Sequence, residues 1–347
     1  MHVKLIKMSC AYRDALIEML EEWKADLERN HGDSSPWAIF RNDWHDFDRY
    51  LAGLDNAGET PGLVPDSTFF CLDTDRNVLV GAVNIRHYLN AGLARTGGHI
   101  GDGIRPSERR KGYATAMLAL ALEECRALGL NKVLMTCNAD NIGSEKSIRN
   151  NGGVYESTME EDGERVKRFW ITLREETVET ERLLLRRLMP ADYKAMGAWS
   201  TDERVYKYLL GSPCKTPEDA LTWLPLKDPN SKEHILMLAT EKSDGHAVGI
   251  YALNHEPERE VWTLSYTNRY DDWGKGYTAE GMRALMEHAA ACYGARSFEG
   301  ECAVENVGSA RVLQKLGLVY DHASSYTKHD GSATYASAVY VKKEAQP

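Results

Sequence analysis

Apolar residues recur at helical spacing behind a glycine at two places in the chain. After Gly112 they fall three or four positions apart, and Gly129 is placed to end the helix that this spacing predicts. The pattern returns after Gly276 and ends at Gly294. Each predicted helix therefore begins directly behind a glycine-bearing loop. The positions that carry the pattern are Ala114, Met117, Leu118, Ala121, Leu122 and Cys125, then Thr278, Met282, Leu285, Met286, Ala289, Ala290 and Tyr293.

Similar elements surround both helices. Alternating apolar and polar residues predict strands at 132–137 and 297–303, and a hairpin signal precedes each loop. The phrases NADNIGSEKSIRNNGG and AVENVGSARVLQKLGL then place Asn141 and Asn306 where they would cap a second helix. Each half thus has three strands, the loop, a helix, a strand, a helix and a final strand.

The repeat divides the chain near its middle. The glycines of the two loops lie 164 positions apart in a chain of 347 residues. A chain of this length usually forms more than one domain. We interpret the repeat as a domain duplication with a linker at 174–179, a first domain at 1–174 and a second at 175–347. We expect the halves to pack together as an internal pseudo-dimer.

The composition is that of a soluble globular protein, with 43% hydrophobic and 27% charged residues. Its apolar runs are much shorter than the ~20 residues that cross a bilayer, and residues 1–8 lack a signal-peptide core, so we expect a cytoplasmic protein without a membrane partner.

Seven scattered cysteines without a C-x-x-C pair argue against a metal site or a disulfide framework. A net charge of −10 argues against nucleic acid and favours cationic small molecules or basic peptides.

The two loops are candidate anion sites. A glycine loop at a helix N-terminus exposes backbone N–H groups at the positive end of the helix dipole. Arg109, Arg110 and Lys111 add positive charge that suits a pyrophosphate. Neither the G-x-G-x-x-G pattern of dinucleotide folds nor the G-x-x-x-x-G-K-[ST] pattern of P-loops is present. A solvated charged turn would explain one loop, but two copies at equivalent places favour the anion site.

The segment RRKGYA at 109–114 resembles the Q/R-x-x-G-x-G/A signature of the GNAT superfamily of N-acetyltransferases. The segments that carry Asn141 and Asn306 are similar to the motif that follows it. The second half, with ETERLLLRRLMPAD and WGKGYTAEGM, resembles the RimJ/RimL branch, which acetylates ribosomal-protein N-termini, and the first half resembles a less characterised GNAT group. The resemblance implies an α/β fold with an α+β mixed sheet in each half, splayed in the middle to hold acetyl-CoA.

The resemblance also implies which residues bind coenzyme A. The pyrophosphate would lie on the loop amides, and the preceding strand ends and following helix caps would line the rest of the molecule. Trp273 and Thr278 depart from the strict signature, and the rings of Tyr113 and Tyr277 are also explained by packing. The implied residues are Ile104, Arg109, Arg110, Lys111, Gly112, Tyr113, Ala114, Asn141 and Ser144, with Asn268, Gly274, Lys275, Gly276, Tyr277, Thr278, Asn306 and Ser309 in the second half.

Acyl transfer from a thioester to an amine requires a neutral amine and a stabilised leaving thiolate. The strand before the first loop offers His99 and Asp102 as titratable candidates. His99 is also explained as a structural residue, and Asp102 is either a base or an acidic wall that attracts a cation. In the second half Glu260 is nearby, although a place in the preceding polar turn explains it equally.

Many GNAT enzymes have a tyrosine seven residues after the motif asparagine, which protonates the thiolate. The corresponding residues are Ile148 and Leu313, so neither half has that acid. In the RimJ/RimL branch a serine has been given this role, and the resemblance transfers it to Ser309 and its counterpart Ser144. Both serines are also explained as helix caps.

The acceptor wall of this superfamily follows the first strand. In the first half, residues 34–50 interleave aromatic and acidic side chains, which suit a cation through charge and cation–π contact. The helical spacing of Ile39, Trp44, Phe47 and Leu51 also fits a packed helix. The candidate wall residues are Trp37, Asp43, Trp44, Asp46, Asp48 and Tyr50.

These observations predict an acetyl-CoA-dependent N-acetyltransferase that requires no metal. Its acceptor would be the primary amine of a small molecule or of a peptide N-terminus, attacking directly in a ternary complex. In one alternative, one half catalyses and the other is a degenerate scaffold. In another, the protein is a non-catalytic acyl-CoA sensor, since both halves lack the tyrosine.

Overall fold

The computed structural model describes residues 2–30, 34–58, 60–161, 163–224 and 227–343. The chain forms two compact units, a first unit of residues 1–174 and a second unit of residues 175–347. The first unit combines helices with antiparallel sheets and the second combines helices with a mixed sheet, so the predicted α/β fold is confirmed. Within the described residues, no helix is both long enough and apolar enough to cross a membrane.

The first unit contains two sheets. One has the strand order β1-β2-β3-β4 and the other the order β5-β7-β6, and all pairs within them are antiparallel. The elements are β1 (Val3–Ile6), α1 (Arg13–Asn30), α2 (Phe47–Ala52), β2 (Asp66–Asp73), β3 (Val78–Arg86), β4 (Ile100–Ile104), α3 (Tyr113–Ala127), β5 (Lys132–Asn138), α4 (Ile142–Asn150), β6 (Val154–Glu161) and β7 (Glu164–Thr172).

Helices cover both faces of the β1–β4 sheet. Phe70 and Leu72 pack in one core with α1 and α2, whereas Cys71 between them packs with α3 in another. This alternation is the two-residue period of a strand buried on both sides. On α3, Met117 and Leu118 are fully buried, as the sequence pattern predicts. The sheet is therefore held rigidly between two helical layers.

His99 fixes the place where β4 parts from β5. Its backbone N–H donates to the carbonyl of Leu134 at 2.8 Å, and the Leu134 N–H donates to His99 Nδ1 at 2.9 Å. The side chain thus supplies the acceptor that a strand ladder would otherwise provide. Beyond this bridge the described residues of β4 and β5 form no ladder, and a gap opens between the two sheets.

The second unit has one sheet of eight strands in the order β14-β15-β13-β12-β11-β10-β9-β8. Its parallel pair, β12 and β13, is joined only at Trp262 with Phe298 and Thr263 with Glu299, and then parts. The elements are β8 (Thr177–Glu179), β9 (Leu183–Arg187), α5 (Tyr193–Ser200), α6 (Glu203–Tyr206), β10 (His234–Glu241), β11 (Ala247–Glu256), β12 (Val261–Asn268), α7 (Tyr277–Tyr293), β13 (Ser297–Ala303), α8 (Val307–Lys315), β14 (Val319–Thr327) and β15 (Thr334–Lys343).

The bridge at His99 makes stability depend on pH. Burial, helped by the charge of Arg86, lowers the pKa of His99 to about 3. The unfolded chain binds a proton at this position below pH 6.5 and the folded chain does not, so acidification favours unfolding. Between pH 6.5 and pH 3, we expect each unit of acidification to lower the free energy of unfolding of the wild type by up to about 1.4 kcal/mol relative to that of His99→Gln. Glutamine keeps a hydrogen-bond acceptor at this position but does not titrate.

Urea unfolding of the full chain at pH 7 and pH 5 measures this difference. His322→Gln, at an exposed position of the second unit, is the control and should follow the wild type. Parallel loss of stability in wild type and His99→Gln would contradict the assignment.

Candidate functional site

Both glycine loops adopt the same backbone conformation. Arg110 and Gly112 have positive φ angles of 65° and 90°, and Gly274 and Gly276, at the equivalent positions, have 78° and 85°. Left-handed backbone is ordinary for glycine and strained for arginine. Each unit therefore bends its chain twice at the same points before the helix begins.

The bends leave amide groups without partners. The first hydrogen bonds of the helices run from the Ala116 N–H to the Gly112 carbonyl and from the Glu280 N–H to the Gly276 carbonyl. Among the described residues, no acceptor is recorded for the amides of 110–112 or 274–276. Unpaired N–H groups at a helix N-terminus bind phosphate oxygens, so both loops fit a pyrophosphate.

A buried carboxylate supports each loop from beneath. Glu108 accepts hydrogen bonds from Arg76 Nη2 at 2.7 Å and Lys111 Nζ at 3.0 Å, and these contacts, Arg76 first, lower its pKa. Asp272 accepts from Lys275 Nζ at 2.8 Å in the second loop. Both lysines are therefore held to the protein, and Lys111 is neutralised by its own loop.

Arg109 and its counterpart Trp273 make equivalent hydrogen bonds with different side chains. Arg109 Nε donates to the Ile104 carbonyl at 3.2 Å, and Trp273 Nε1 donates to the Asn268 carbonyl at 3.1 Å. Each bond ties the loop to the end of the preceding strand. Arg109 also pairs with Asp26 at 2.8 Å. Of the three basic loop residues, only Arg110 therefore has no carboxylate partner among the described residues.

Several of the predicted cofactor-binding side chains make hydrogen bonds or packing contacts within the protein itself. The buried Tyr113 donates through its hydroxyl to Asp73 at 2.5 Å, and Tyr277 packs beneath the Arg182 guanidinium. Asn141 and Asn306 cap α4 and α8, because their side-chain oxygens accept the N–H groups of the serines three residues on. The packing explanation for the tyrosine rings and the capping explanation for the asparagines are both consistent with these contacts.

In the first unit the gap beside β4 is an open cleft of about 1190 Å³. The half-buried Asp102 faces it from β4. Trp37, Arg86, Thr96 and Gly97 form a wall that this cleft shares with a second cavity of about 450 Å³. Predicted residues that line the cleft are Asp102, Ile104, Arg109, Arg110, Gly112, Tyr113, Ala114, Asn141 and Ser144.

Two predicted catalytic residues lie elsewhere. His99 is fully buried in the β4–β5 bridge, does not line the cleft, and has its Nδ1 occupied as an acceptor, so it is unsuited to the role of base. Glu260 is exposed in the turn between β11 and β12, at the end of β12 opposite the loop. The alternative explanations, a structural histidine and a turn residue, agree with these positions.

In the second unit a tyrosine occupies the place of Asp102. Tyr266 lies ten residues before Gly276, as Asp102 lies before Gly112. Its hydroxyl contacts Ser309 Oγ at 2.6 Å and donates to the Ser309 carbonyl at 3.3 Å. Burial raises the pKa of Tyr266, so the hydroxyl remains protonated. The side chain spans the gap between β12 and the N-terminus of α8.

The acidic and aromatic wall predicted at 34–50 is not assembled. Trp44 and Tyr50 are buried in the α1 core, and Asp43 is bound to His45. Of the six candidates only Trp37 lines the two cavities. The helical spacing at Trp44 and Phe47 therefore marks core packing.

Sequence reasoning missed three charged residues of the smaller cavity. Arg41 and Asp66 form an ion pair at 2.9 Å, and Arg86 ends the apolar strand β3. An arginine directly behind the run VLVGAVNI is the signal that could have indicated Arg86.

Comparison with known proteins agrees with this geometry. Residues 16–152 match the Acetyltransferase (GNAT) family, and residues 182–319 match the Acetyltransferase (GNAT) domain. The chain belongs to the GNAT acetyltransferase family. The predicted tandem arrangement is confirmed, and the GNAT protein is an N-acetyltransferase that uses acetyl-CoA.

Two curated GNAT relatives each correspond to one half of the chain in length. The uncharacterized N-acetyltransferase YnaD of Bacillus subtilis (strain 168) is 28% identical over 143 residues, which cover 41% of the chain and 81% of the relative. The uncharacterized N-acetyltransferase p20 of Bacillus licheniformis is 25% identical over 158 residues, covering 42% and 87%.

Solved structures with similarity include two enzymes from Vibrio. The ribosomal-protein-S5-alanine acetyltransferase of Vibrio fischeri is 14% identical, with 50% of this chain and 100% of that chain covered and a TM-score of 0.43. The spermidine N-acetyltransferase of Vibrio cholerae, in complex with CoA and spermine, is 14% identical, with 48% and 97% covered and a TM-score of 0.42.

Arg110 allows charge and backbone strain to be separated. Arg110→Gly and Arg110→Ala both remove the unpaired cation, so both should weaken acetyl-CoA binding about 2- to 5-fold at low salt. Only glycine adopts the positive φ without strain, so Arg110→Gly should be more stable than Arg110→Ala by about 1 kcal/mol. Calorimetric titration and urea unfolding measure the two effects. Unchanged affinity in both variants would rule out a phosphate contact by Arg110.

Proposed function

We propose that the first unit is the catalytic centre and transfers the acetyl group of acetyl-CoA to a primary amine by direct attack in a ternary complex. The observation that carries the proposal is the cleft that reaches from the loop at 110–112 past Asp102 and shares a wall with the second cavity. In this proposal the donor lies in the cleft and the acceptor reaches it from the side of the second cavity. Proximity of this kind accounts for much of the rate of bimolecular enzymes.

In this proposal the chain supplies three functions. The loop amides hold the pyrophosphate, and Arg110 adds charge beside it. Asp102 accepts the proton that the attacking amine loses, or orients the amine through a water molecule. Ser144, half-buried in the same wall, donates to the sulfur as the carbon–sulfur bond breaks. The coenzyme supplies the acetyl thioester.

Ile148 supports the choice of Ser144 as donor. Its side chain is 1% exposed and packs in the α3 core, so the position that carries a tyrosine in many GNAT enzymes is purely structural. Among the described residues of the cleft, Ser144 combines a hydroxyl with a place on the first turn of α4.

The second unit fits the role of scaffold. Tyr266 has a half-buried ring, and its hydroxyl makes two contacts with Ser309 across the gap that is open in the first unit. The arm of the coenzyme would have to displace both contacts and the ring. A packed tyrosine with its hydroxyl satisfied resists such displacement.

Matched glycine variants test the division of labour. Gly112→Val and Gly276→Val impose a β-branched side chain on backbones with nearly equal φ angles of 90° and 85°. We expect Gly112→Val to reduce turnover at least 100-fold and Gly276→Val to remain within about 2-fold of the wild type, because only the first loop holds reacting coenzyme. Release of free thiol measures turnover, and calorimetry should give one acetyl-CoA site per chain. Equal losses in both variants would contradict the scaffold role.

Asp102→Asn tests the proton transfer. We expect kcat to fall about 10²- to 10⁴-fold while acetyl-CoA affinity stays within about 3-fold, since Asp102 acts on the amine. The deficit should shrink as pH rises, because a growing fraction of the amine is then already neutral. Asp140→Asn removes the same charge from an exposed position of the same cleft and is the matched control. Similar kcat values for both variants would eliminate Asp102 as the base.

The match of both halves to acetyltransferase families argues against the alternative of a non-catalytic acyl-CoA sensor, which the missing tyrosines had suggested. Such a sensor would bind acetyl-CoA and release no free thiol with any amine offered. Turnover of a single amine would exclude it.

A further inference from the structure

The second cavity of the first unit contains more positive than negative charge. Its walls include the guanidinium groups of Arg41 and Arg86 and the carboxylate of Asp66. Asp66 is bound by Arg41 at 2.9 Å, and the side chains of this pair are 5% and 16% exposed. One carboxylate thus faces two arginines in a space of about 450 Å³, a volume that suits a small organic molecule.

Arg86 keeps hydrogen-bond donors available. Its Nη1 donates to the carbonyls of Gly97 and Gly98 at 3.2 and 3.4 Å. Among the described residues neither Nε nor Nη2 has a hydrogen-bond acceptor, and the Arg86 side chain lines the cavity. Burial lowers the pKa of Arg86, yet a guanidinium stays protonated at neutral pH. A largely buried cation with unused donors favours an anionic ligand.

The surroundings of Arg86 hold the guanidinium in place. A Cβ atom added at Gly101 would lie 3.2 Å from Arg86 Nη2, so the glycine leaves room for the guanidinium against β4. Arg41 lies over the Trp37 ring at 5.1 Å, and its Nε is buried without a partner. The two cations are therefore positioned by the fold.

Arg86 also connects this cavity to the reacting cleft. It lines both spaces, and Asp102 is close enough for the two charges to interact. An acceptor whose amine is at Asp102 would extend its other end toward Arg86 and Arg41. On this arrangement, and resting on the proposed function, we propose that the acceptor is a small amine that also carries a carboxylate, which Arg86 binds with the help of Arg41.

Matched acceptors test this proposal with the full-length protein. Each of several amino acids is compared with its amide, whose amine is less basic, and with its decarboxylated amine, whose amine is more basic. The two analogues lack the carboxylate and bracket the basicity of the amine. We expect the acid to have a kcat/KM about 10- to 100-fold above its two analogues, as for a hydrogen-bonded charge pair. Arg86→Gln should remove this preference, and Arg86→Lys should restore part of it, because lysine keeps the charge without the fork of donors.

The proposal and the function on which it rests fail in different ways. Acetyl-CoA binding by each variant reports whether the first unit has folded, and Arg41→Gln is a second variant that should lower the preference. Turnover of amines with no preference for the acids, or only of peptides, would overturn the carboxylate assignment and leave the acetyltransferase proposal intact. Absence of turnover with every amine would contradict the proposed function.

Calorimetry then decides the assignment independently of turnover. With CoA present, the acids should bind to the wild type more tightly than their amides and should lose that advantage in Arg86→Gln. Equal binding of acid and amide would overturn the assignment.

Discussion

The parting of two neighbouring strands is the constraint on which each unit depends. A strand that leaves its neighbour exposes backbone donors and acceptors, which must be satisfied by side chains, water or a ligand. In the first unit His99 closes the last contact between β4 and β5 with its ring nitrogen. In the second unit two ladder pairs, at Trp262 and Thr263, serve the same purpose. The loops that we propose for the coenzyme lie beyond these points.

The two units use the resulting gap in different ways. In the first, Asp102 faces an open cleft, and neighbouring glycines at 101 and 103 add no side chains to it. In the second, Tyr266 stands at the equivalent position and its hydroxyl contacts Ser309 at the start of α8. The loops themselves remain alike, with left-handed residues at the same two positions. If the second unit is a scaffold, as proposed, its loop geometry is kept because it also shapes the start of a helix.

The sequence predicted the features that depend on local interactions. The glycine loops, the helices behind them and the asparagine caps were found because left-handed backbone, helical periodicity and capping each involve residues close in sequence. The uses of His99, Trp44 and Tyr50 could not be found in this way. A titratable strand residue and an aromatic residue at helical spacing fit both core and site, and only the tertiary packing separates them. The place of Arg86 in the cavity was not predicted because its partners come from other segments of the first unit.

The net charge of the chain differs in sign from the charge of the cavity beside the cleft. The net charge of −10 predicted a cationic ligand, yet the cavity beside the cleft is lined by two arginines and one aspartate. Exposed surface charges act over about 8 Å at physiological ionic strength, whereas groups in a cavity interact through less solvent and at shorter range. In the proposed acceptor cavity, the nearest charges are therefore those of Arg41, Asp66 and Arg86. Total charge governs how a ligand approaches the protein, whereas in the proposal these three side chains select the ligand that stays bound.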